Sequence, residues 1–295
     1  MELTAINKQN MCFFGSLGSE DNFYEMSLPL HYGIGAVEGG RPEFIAVGLL
    51  CFHVVERDGQ DEGYAVIDRI CVAENYRRQG VGRSLMEELF KNLREMDVES
   101  VLVDLPESGL PDVERFLTAF GYMCEPMESD TYIVSLGTAK KWLGKIPDSY
   151  PDDLPLAEAE DMKLKRTLAQ SSRDVYIKGI SEILLLPWED LEKEISIVHR
   201  GKKGYDAFAL FRRMPSGRLI LHYFGGTDEV AYDLMYRVIC DAVSMAHLYY
   251  RGKTMLEIPV RSEQEDEFLH MLFPRINRKR VRRFARGITL TKLRS

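Results

Sequence analysis

The segment Ile70 to Ser84, ICVAENYRRQGVGRS, constrains the fold more than any other stretch of the chain. A run rich in β-branched residues, Tyr64 to Val72, ends there and a different periodicity begins. From Val81 onward, Leu85, Met86, Leu89, Phe90 and Leu93 recur at helical spacing, with Glu87, Glu88, Lys91 and Arg94 on the other face. Between strand and helix lies a loop containing Gly80 and Gly82. The first N–H groups of a helix lack intrahelical acceptors, and its dipole adds partial positive charge beside them. Glycine lets a phosphorylated ligand come close to that backbone, and Arg77, Arg78 and Arg83 add charge. The segment is suited to a diphosphate.

The flanking elements extend this into an α/β layer. Ala46 to Val55 reads as a strand that forms a hairpin with Tyr64 to Val72 across the turn Arg57 to Gly63. Ser100 to Leu105 is a short buried strand blocked by Pro106. Val113 to Ala119 is a helix stopped by Gly121, and Thr131 to Leu136 reads as the strand that closes the layer. A linker is expected at 144–157, where Gly144 to Pro155 carries three prolines and a run of acids. Further on, Ala207 to Arg212 and Arg218 to Phe224 form a second hairpin across Pro215-Ser216-Gly217. Val230 to Ala246 is a long amphipathic helix, Thr254 to Ile258 a strand and Glu265 to Leu272 a helix.

The two halves repeat one another. Val103-Asp104-Leu105-Pro106 parallels Leu256-Glu257-Ile258-Pro259, each after a hairpin and a long helix, and Phe116-Leu117 parallels Phe268-Leu269. Such self-similarity points to two copies of one architecture, in domains 1–143 and 158–295. The length of 295 residues suits two domains.

Composition narrows the setting. With 45% hydrophobic and 28% charged residues, the chain reads as a globular protein, and no apolar run reaches the length of a membrane span. The start, MELTAINKQNMCFF, lacks the pattern of a signal peptide, and five scattered cysteines read as reduced thiols. A cytoplasmic location is expected. The six histidines and the cysteines show no zinc spacing, so no metal is expected. The net charge of −8 hides a basic end, Pro274 to Ser295. That end reads as a solvated face, or as a partner for the acids Asp152, Asp153, Glu158, Glu160 and Asp161. A nucleic-acid-binding module is the competing reading, less favoured because only Phe284 interrupts the basic run RINRKRVRRFARG. Trp188 is as well suited to a core as to a ligand platform.

Spacing decides among phosphate ligands. A nucleotide P-loop needs Gly-x4-Gly-Lys-Ser/Thr, and here Arg83-Ser84 follows too soon. A dinucleotide fingerprint needs a third glycine where Leu85 stands. The other Gly-x-Gly, Gly33-Ile34-Gly35, precedes no helical pattern and reads as a loop. Arg77-Arg78-Gln79-Gly80-Val81-Gly82, however, resembles the Arg/Gln-x-x-Gly-x-Gly/Ala signature of the GNAT acetyltransferase superfamily. FLTAFGY (Phe116 to Tyr122) resembles that family's second signature, a helix running into Gly-Phe. The resemblance covers about half the chain.

The resemblance implies a mixed, mostly antiparallel, twisted sheet flanked by helices, and acetyl-CoA as co-substrate. The pantetheine arm would pair with Ile70, Cys71 and Val72. The pyrophosphate would meet the loop from Arg77 through Arg78, Gln79, Gly80, Val81, Gly82 and Arg83 to Ser84. An amine of a small molecule or peptide would attack the thioester, with Asp104 as the favoured base, Asp68 as competitor and Glu107 third. One departure stands out. The tyrosine that commonly protonates the leaving thiolate falls at Leu117, which keeps a non-catalytic acyl-CoA-binding protein in play. In the second half, Gly225-Gly226-Thr227-Asp228-Glu229 takes the loop's place with two acids that would repel a diphosphate. That half would be a scaffold, a wall of the acceptor site or a dimerisation element, so a homodimer is compatible with the sequence.

Overall fold

The computed structural model describes residues 1–39, 44–55, 63–106, 110–144, 151–159, 188–202, 204–226, 232–260 and 263–289. Glu107, Glu160, Asp161, Thr227-Asp228-Glu229 and most of the turn after Val55 lie outside the described residues. The first half carries β1 (Glu2–Ala5), α1 (Glu20–Glu25), β2 (His31–Glu38), β3 (Ile45–Val55), β4 (Gly63–Val72), α2 (Val81–Glu95), β5 (Val98–Pro106), α3 (Pro111–Ala119) and β6 (Met123–Ser135). There follow α4 (Leu136–Leu143), β7 (Asp153–Pro155), β8 (Ile197–Arg200), β9 (Tyr205–Arg213), β10 (Leu219–Gly226), α5 (Tyr232–Tyr249), β11 (Met255–Pro259), α6 (Glu263–Leu272) and β12 (Asn277–Gly287). Two compact units result. One joins Met1–Glu128 to Arg280–Ser295, and the other is Ser129–Lys279.

In the first unit the strand order is β1-β2-β3-β4-β5-β12. Every neighbouring pair is antiparallel except β4 and β5, which run parallel because α2 crosses between them. β3 is buried on both faces, which explains its nearly unbroken apolar run IAVGLLCFHVV. One face carries the main core, where Val81, Leu85, Met86, Leu89, Phe90 and Leu93 of α2 meet Leu50, Phe52, Ile67 and Val103. Gly48 lets α2 seat this low, since a Cβ there would stand 2.7 Å from Val81 Cγ1. The other face carries a smaller cluster of Phe14, Leu17, Leu49 and Cys51.

The second unit has the order β6-β11-β10-β9-β8-β7, again antiparallel apart from one parallel pair, β10 with β11. Read inward from β7, its sequence of strand senses matches that of the first unit read inward from β1. α5 supplies Val238, Ile239, Ala242 and Val243 to the main core, and Gly217 turns the β9–β10 hairpin at φ +84°. Trp188 is buried in the cluster on the opposite face, with Leu156, Leu191, Val198 and Tyr205. It is a core residue.

Three sequence expectations are corrected here. Thr131 to Ser135 pairs with β11 in the second unit, rather than closing the first, and Leu136 starts α4. The place in the first sheet goes instead to the basic segment: Val281–Gly287 of β12 pairs with β5 from Pro106 back to Ser100. Val281, Phe284 and Ile288 are its buried positions. Its charges are used locally. Arg283 pairs with Asp104, Arg282 with Glu114, and the Arg286 guanidinium lies 4.1 Å from the Phe90 ring centroid. Finally, Gly33-Ile34-Gly35 lies within β2 rather than a loop. The glycines there make room for the Phe14 and Met26 side chains. By compactness the chain divides at Glu128 and at Lys279.

Candidate active site

The glycine loop is held by its own backbone and side chains. Ala73 N–H donates to Val47 O at 2.9 Å, and a single 3-10 turn spans Glu74–Tyr76. Arg77 Nε donates back to Val72 O at 3.3 Å and Gln79 Nε2 to Asn75 O at 2.7 Å. Arg78 and Gly80 both take left-handed backbone, φ +64° and +89°, which turns the chain into α2. Gly80 is the N-cap and brings no side-chain acceptor, and the first turn of α2 contains no acid. The first helical bond is Ser84 N–H to Gly80 O at 3.0 Å. The N–H groups of Val81, Gly82 and Arg83 therefore precede the ladder and point out of the helix end. A Cβ at Gly82 would stand 3.3 Å from the Phe116 ring, so glycine is what lets α3 seat beside the loop. Arg83 lies with its guanidinium 5.9 Å from the Phe120 ring centroid.

Next to the loop the sheet opens. β4 and β5 stay in parallel register from Gly63↔Val98 to Ile67↔Val103, then part, although β4 continues to Val72 and β5 to Pro106. At this point the register of β3 against β4 shifts between Cys51↔Arg69 and Phe52↔Ile67, which makes Asp68 a bulge residue. Beyond it, the edge of Ile70, Cys71 and Val72 that faces β5 has no strand register there, and all three are half-buried. A backbone edge of this kind can take an extended ligand by strand addition.

The expected carboxylates stand on the two lips of the opening, in different company. Asp104 holds Arg283 through both oxygens, Nε to Oδ1 at 2.8 Å and Nη2 to Oδ2 at 2.9 Å. Asp68 accepts from His53 Nδ1 at 2.9 and 3.0 Å, and the His53 ring stacks on His31 with centroids 4.9 Å apart. Neither histidine was singled out from the sequence. The signal is tertiary: the register Tyr32↔Phe52 carries His31↔His53 with it. Leu117 is fully buried in the main core, so no acid comes from that position. Burial, helped by Asp68, pushes the neighbouring Cys51 thiol up to about 12, which makes it a core thiol and no nucleophile at neutral pH. Among the described residues no group of three or more His, Cys, Asp or Glu could hold a metal.

Residues 4–122 match the sequence model of the Acetyltransferase (GNAT) family. This region is a GNAT-family domain. No curated protein matches the chain significantly. Among solved structures, a tandem GNAT protein of the clavulanic acid biosynthesis pathway is 12% identical, with TM-score 0.64, over 98% of this chain and 99% of that one. A GCN5-related glucosamine N-acetyltransferase region of a fungal multi-domain GH3 β-N-acetylglucosaminidase is 13% identical, with TM-score 0.61, over 96% of this chain. The match spans only 38% of that protein. A putative acetyltransferase from Pyrococcus horikoshii is 14% identical, with TM-score 0.53, over 98% of this chain and 90% of that one. These likenesses concern the fold, and they fit two GNAT-type units in tandem. In the second unit, bulge and splay recur: the register shifts between Leu221 and Tyr223, and the parallel pairing ends at Ile220↔Glu257. The connection that corresponds to the loop, residues 227–231 between the Gly225-Gly226 end of β10 and Tyr232 of α5, lies outside the described residues. Among the described residues no helix is long and apolar enough to cross a membrane.

Proposed function

We propose that the first unit moves an acetyl group from acetyl-CoA to an amine of a small molecule or peptide, by direct attack on the thioester, in a cytoplasmic setting. The observation that carries this reading is the joint presence of a capless glycine helix start and a splayed strand edge beside it. The N–H groups after Gly80, with Arg77, Arg78 and Arg83 around them, suit the pyrophosphate. Gln79, Gly80, Val81, Gly82 and Ser84 complete the loop. The half-buried edge of Ile70, Cys71 and Val72 suits the pantetheine amides, and a strand N–H at the bulge suits the thioester oxygen as negative charge develops on it. Asp104 and Asp68 are the carboxylates through which the amine proton leaves. The arginine-held state of Asp104 favours Asp68, because protonating Asp104 displaces two charge-assisted bonds.

The nucleic-acid reading of the basic segment loses its motive, since Arg282, Arg283 and Arg286 are engaged within the first unit. Calorimetry with acetyl-CoA tests the main reading. Binding to the native state should add about 2.7 kcal/mol of stability at a hundredfold excess over Kd, visible as a rise in Tm. Absence of any heat of binding or Tm shift with acetyl-CoA or coenzyme A would remove it.

A further inference from the structure

We propose that a cleft between β1, β2 and the far half of α2 is a ligand site of its own, for a small organic cation: a primary ammonium group on a hydrocarbon body. The cleft measures about 390 Å³ and lies within the first unit. That is the size of a small-molecule pocket. Its floor is apolar, made by Leu3, Ile34 and Phe52, with the Phe52 ring stacked on Tyr32 at 5.3 Å between centroids. Its rim comes from α2, where Glu88, Asn92 and Glu95 recur at i, i+4 and i+7 and so share one side of the helix. No lysine or arginine is among the described residues that line it. His31 lines it too, already held to Pro29 O at 2.8 Å and stacked on His53, so the two glutamates set the charge of the cleft.

The second unit shows what this corner of the fold takes. Counted back from Pro106 and Pro259, which end β5 and β11, Glu88 corresponds to Asp241, Asn92 to Met245 and Ser84 to Arg237. Leu3 corresponds to Asp153 by register. Leu3 pairs with Ala36 and Asp153 with His199, and each partner is the last residue before a register shift against the next strand. There the Arg237 guanidinium bonds Asp153 through Nε at 2.7 Å and Nη2 at 3.1 Å, and its charge reaches Asp241. Met245 packs against the main core. A cation thus lies against carboxylates from the edge strand and the helix. The first unit keeps a carboxylate on the helix, has serine in place of the guanidinium and asparagine in place of the methionine, and the space is open.

An ammonium group at the rim gains charge-assisted bonds, and its hydrocarbon body on Ile34, Phe52 and Tyr32 gains apolar burial. Lys91 meets Glu88 at 3.2 Å but is 62% exposed, so that pair contributes little and yields to a partner held against the floor. The cleft is apart from the acyl-transfer edge. At 1.5 Å of rise per residue, Glu88 and Glu95 stand about 12 and 22 Å along α2 from Gly80. The free edge of Ile70 to Val72 faces β5, whereas the cleft is bounded by β1 and β2, on the other side of β3 and β4. Its ligand is therefore neither the diphosphate nor a strand-added arm.

The test uses the full chain without acetyl-CoA. Phenethylammonium and n-hexylammonium are titrated by calorimetry against their neutral counterparts, 2-phenylethanol and 1-hexanol. Both ammonium ions should saturate the wild type at millimolar concentration, and the alcohols should bind at least about tenfold more weakly. Glu88→Gln should weaken the ammonium ions by about tenfold or more. Asn92→Met, which copies the residue of the second unit, should fill the cleft and abolish binding while the Tm stays at or above that of the wild type. Asp68→Asn and Asp104→Asn, at the acyl-transfer edge, should bind the ions as the wild type does. Three results would overturn the proposal: no saturable binding of either ion, equal binding of ion and alcohol, or binding that survives Glu88→Gln and Asn92→Met. In the last case, loss in Asp68→Asn or Asp104→Asn would place the ion at the acyl-transfer edge as an acceptor. None of these readouts involves acetyl-CoA, so their failure leaves the acyl-transfer reading standing.

Discussion

The two units share a strand order, the place of the parallel pair and the place of the bulge, yet among the described residues they differ in what stands at the bulge. In the first, the bulge residue is Asp68, bonded to His53 and partly exposed. In the second it is His222, which is buried. The first unit reaches its long helix through a segment with three arginines and two glycines, Arg77 to Arg83. The architecture is therefore a frame that holds with different residues at the bulge.

The largest test of that equivalence is in the cores. Phe52 and Phe211 sit on β3 and β9 at the register shift, opposite Ile67 and Leu221, and are 1% and 0% exposed. Phe52→Ala and Phe211→Ala should each cost about 3–5 kcal/mol by urea unfolding. A much smaller loss at one of them would show that the frames are not packed alike.

A smaller effect separates the units by ligand. Gly82→Glu places a carboxylate at the helix start and should weaken acetyl-CoA binding at least about 100-fold, or about 2.7 kcal/mol. Gly226→Glu should leave it unchanged, and titration of the wild type should give one site per chain. Two equivalent sites would erase the asymmetry.

The smallest effect concerns a polar cluster in the second unit. Asp153 is nearly enclosed, bonded by Arg237 Nε at 2.7 Å and His199 Nδ1 at 2.6 Å. Beside it the Asp241 carboxyl is pushed up to about 6, first by burial and then by the Asp153 charge, with Arg237 working in the opposite direction. The native state thus holds a proton on Asp241 between its ordinary value of 3.8 and about 6, where the unfolded chain has lost it. Stability from this group is complete below that window and declines as pH rises through it. Asp241→Asn should remove the decline and stabilise the second unit at pH 7 by up to about 1 kcal/mol, a figure reduced for partial exposure. Thermal unfolding at pH 4 and pH 7 checks it. An equal change at both pH values would mean that Asp241 is not the group responsible. Glu88, the same number of residues before Pro106 as Asp241 is before Pro259, pairs instead with the exposed Lys91.

What the sequence revealed was local. The loop was legible because glycine conformation, helix periodicity and the arginines all fall within the seventeen residues from Arg77 to Leu93. The repetition was legible because Val103–Pro106 and Leu256–Pro259 end the same kind of strand after the same kind of helix. The partner of β5 was not, since Val281 and Phe284 are its only apolar residues pointing inward and six basic side chains surround them. Nor was the His53–Asp68 pair, because it depends on a bulge that shifts one strand against the next. Gly33 and Gly35 misled for a related reason: packing against Phe14 and Met26 is invisible until the N-terminal segment is placed.

The exchange of last strands has a consequence in time. On the ribosome, β1 to β5 and α2 emerge early, but Val281–Gly287, which covers the outer edge of β5, is made roughly 170 residues after Pro106. At about 5–20 residues per second, that edge waits on the order of ten to thirty seconds for its neighbour. During that interval Val101, Val103 and Leu105 border an unpaired ladder of the kind that invites pairing between nascent chains. The arginines of the late strand then arrive opposite Asp104 and Glu114, carboxylates that have kept the waiting edge charged. The strand that covers β5 is thus made long after the strand it covers.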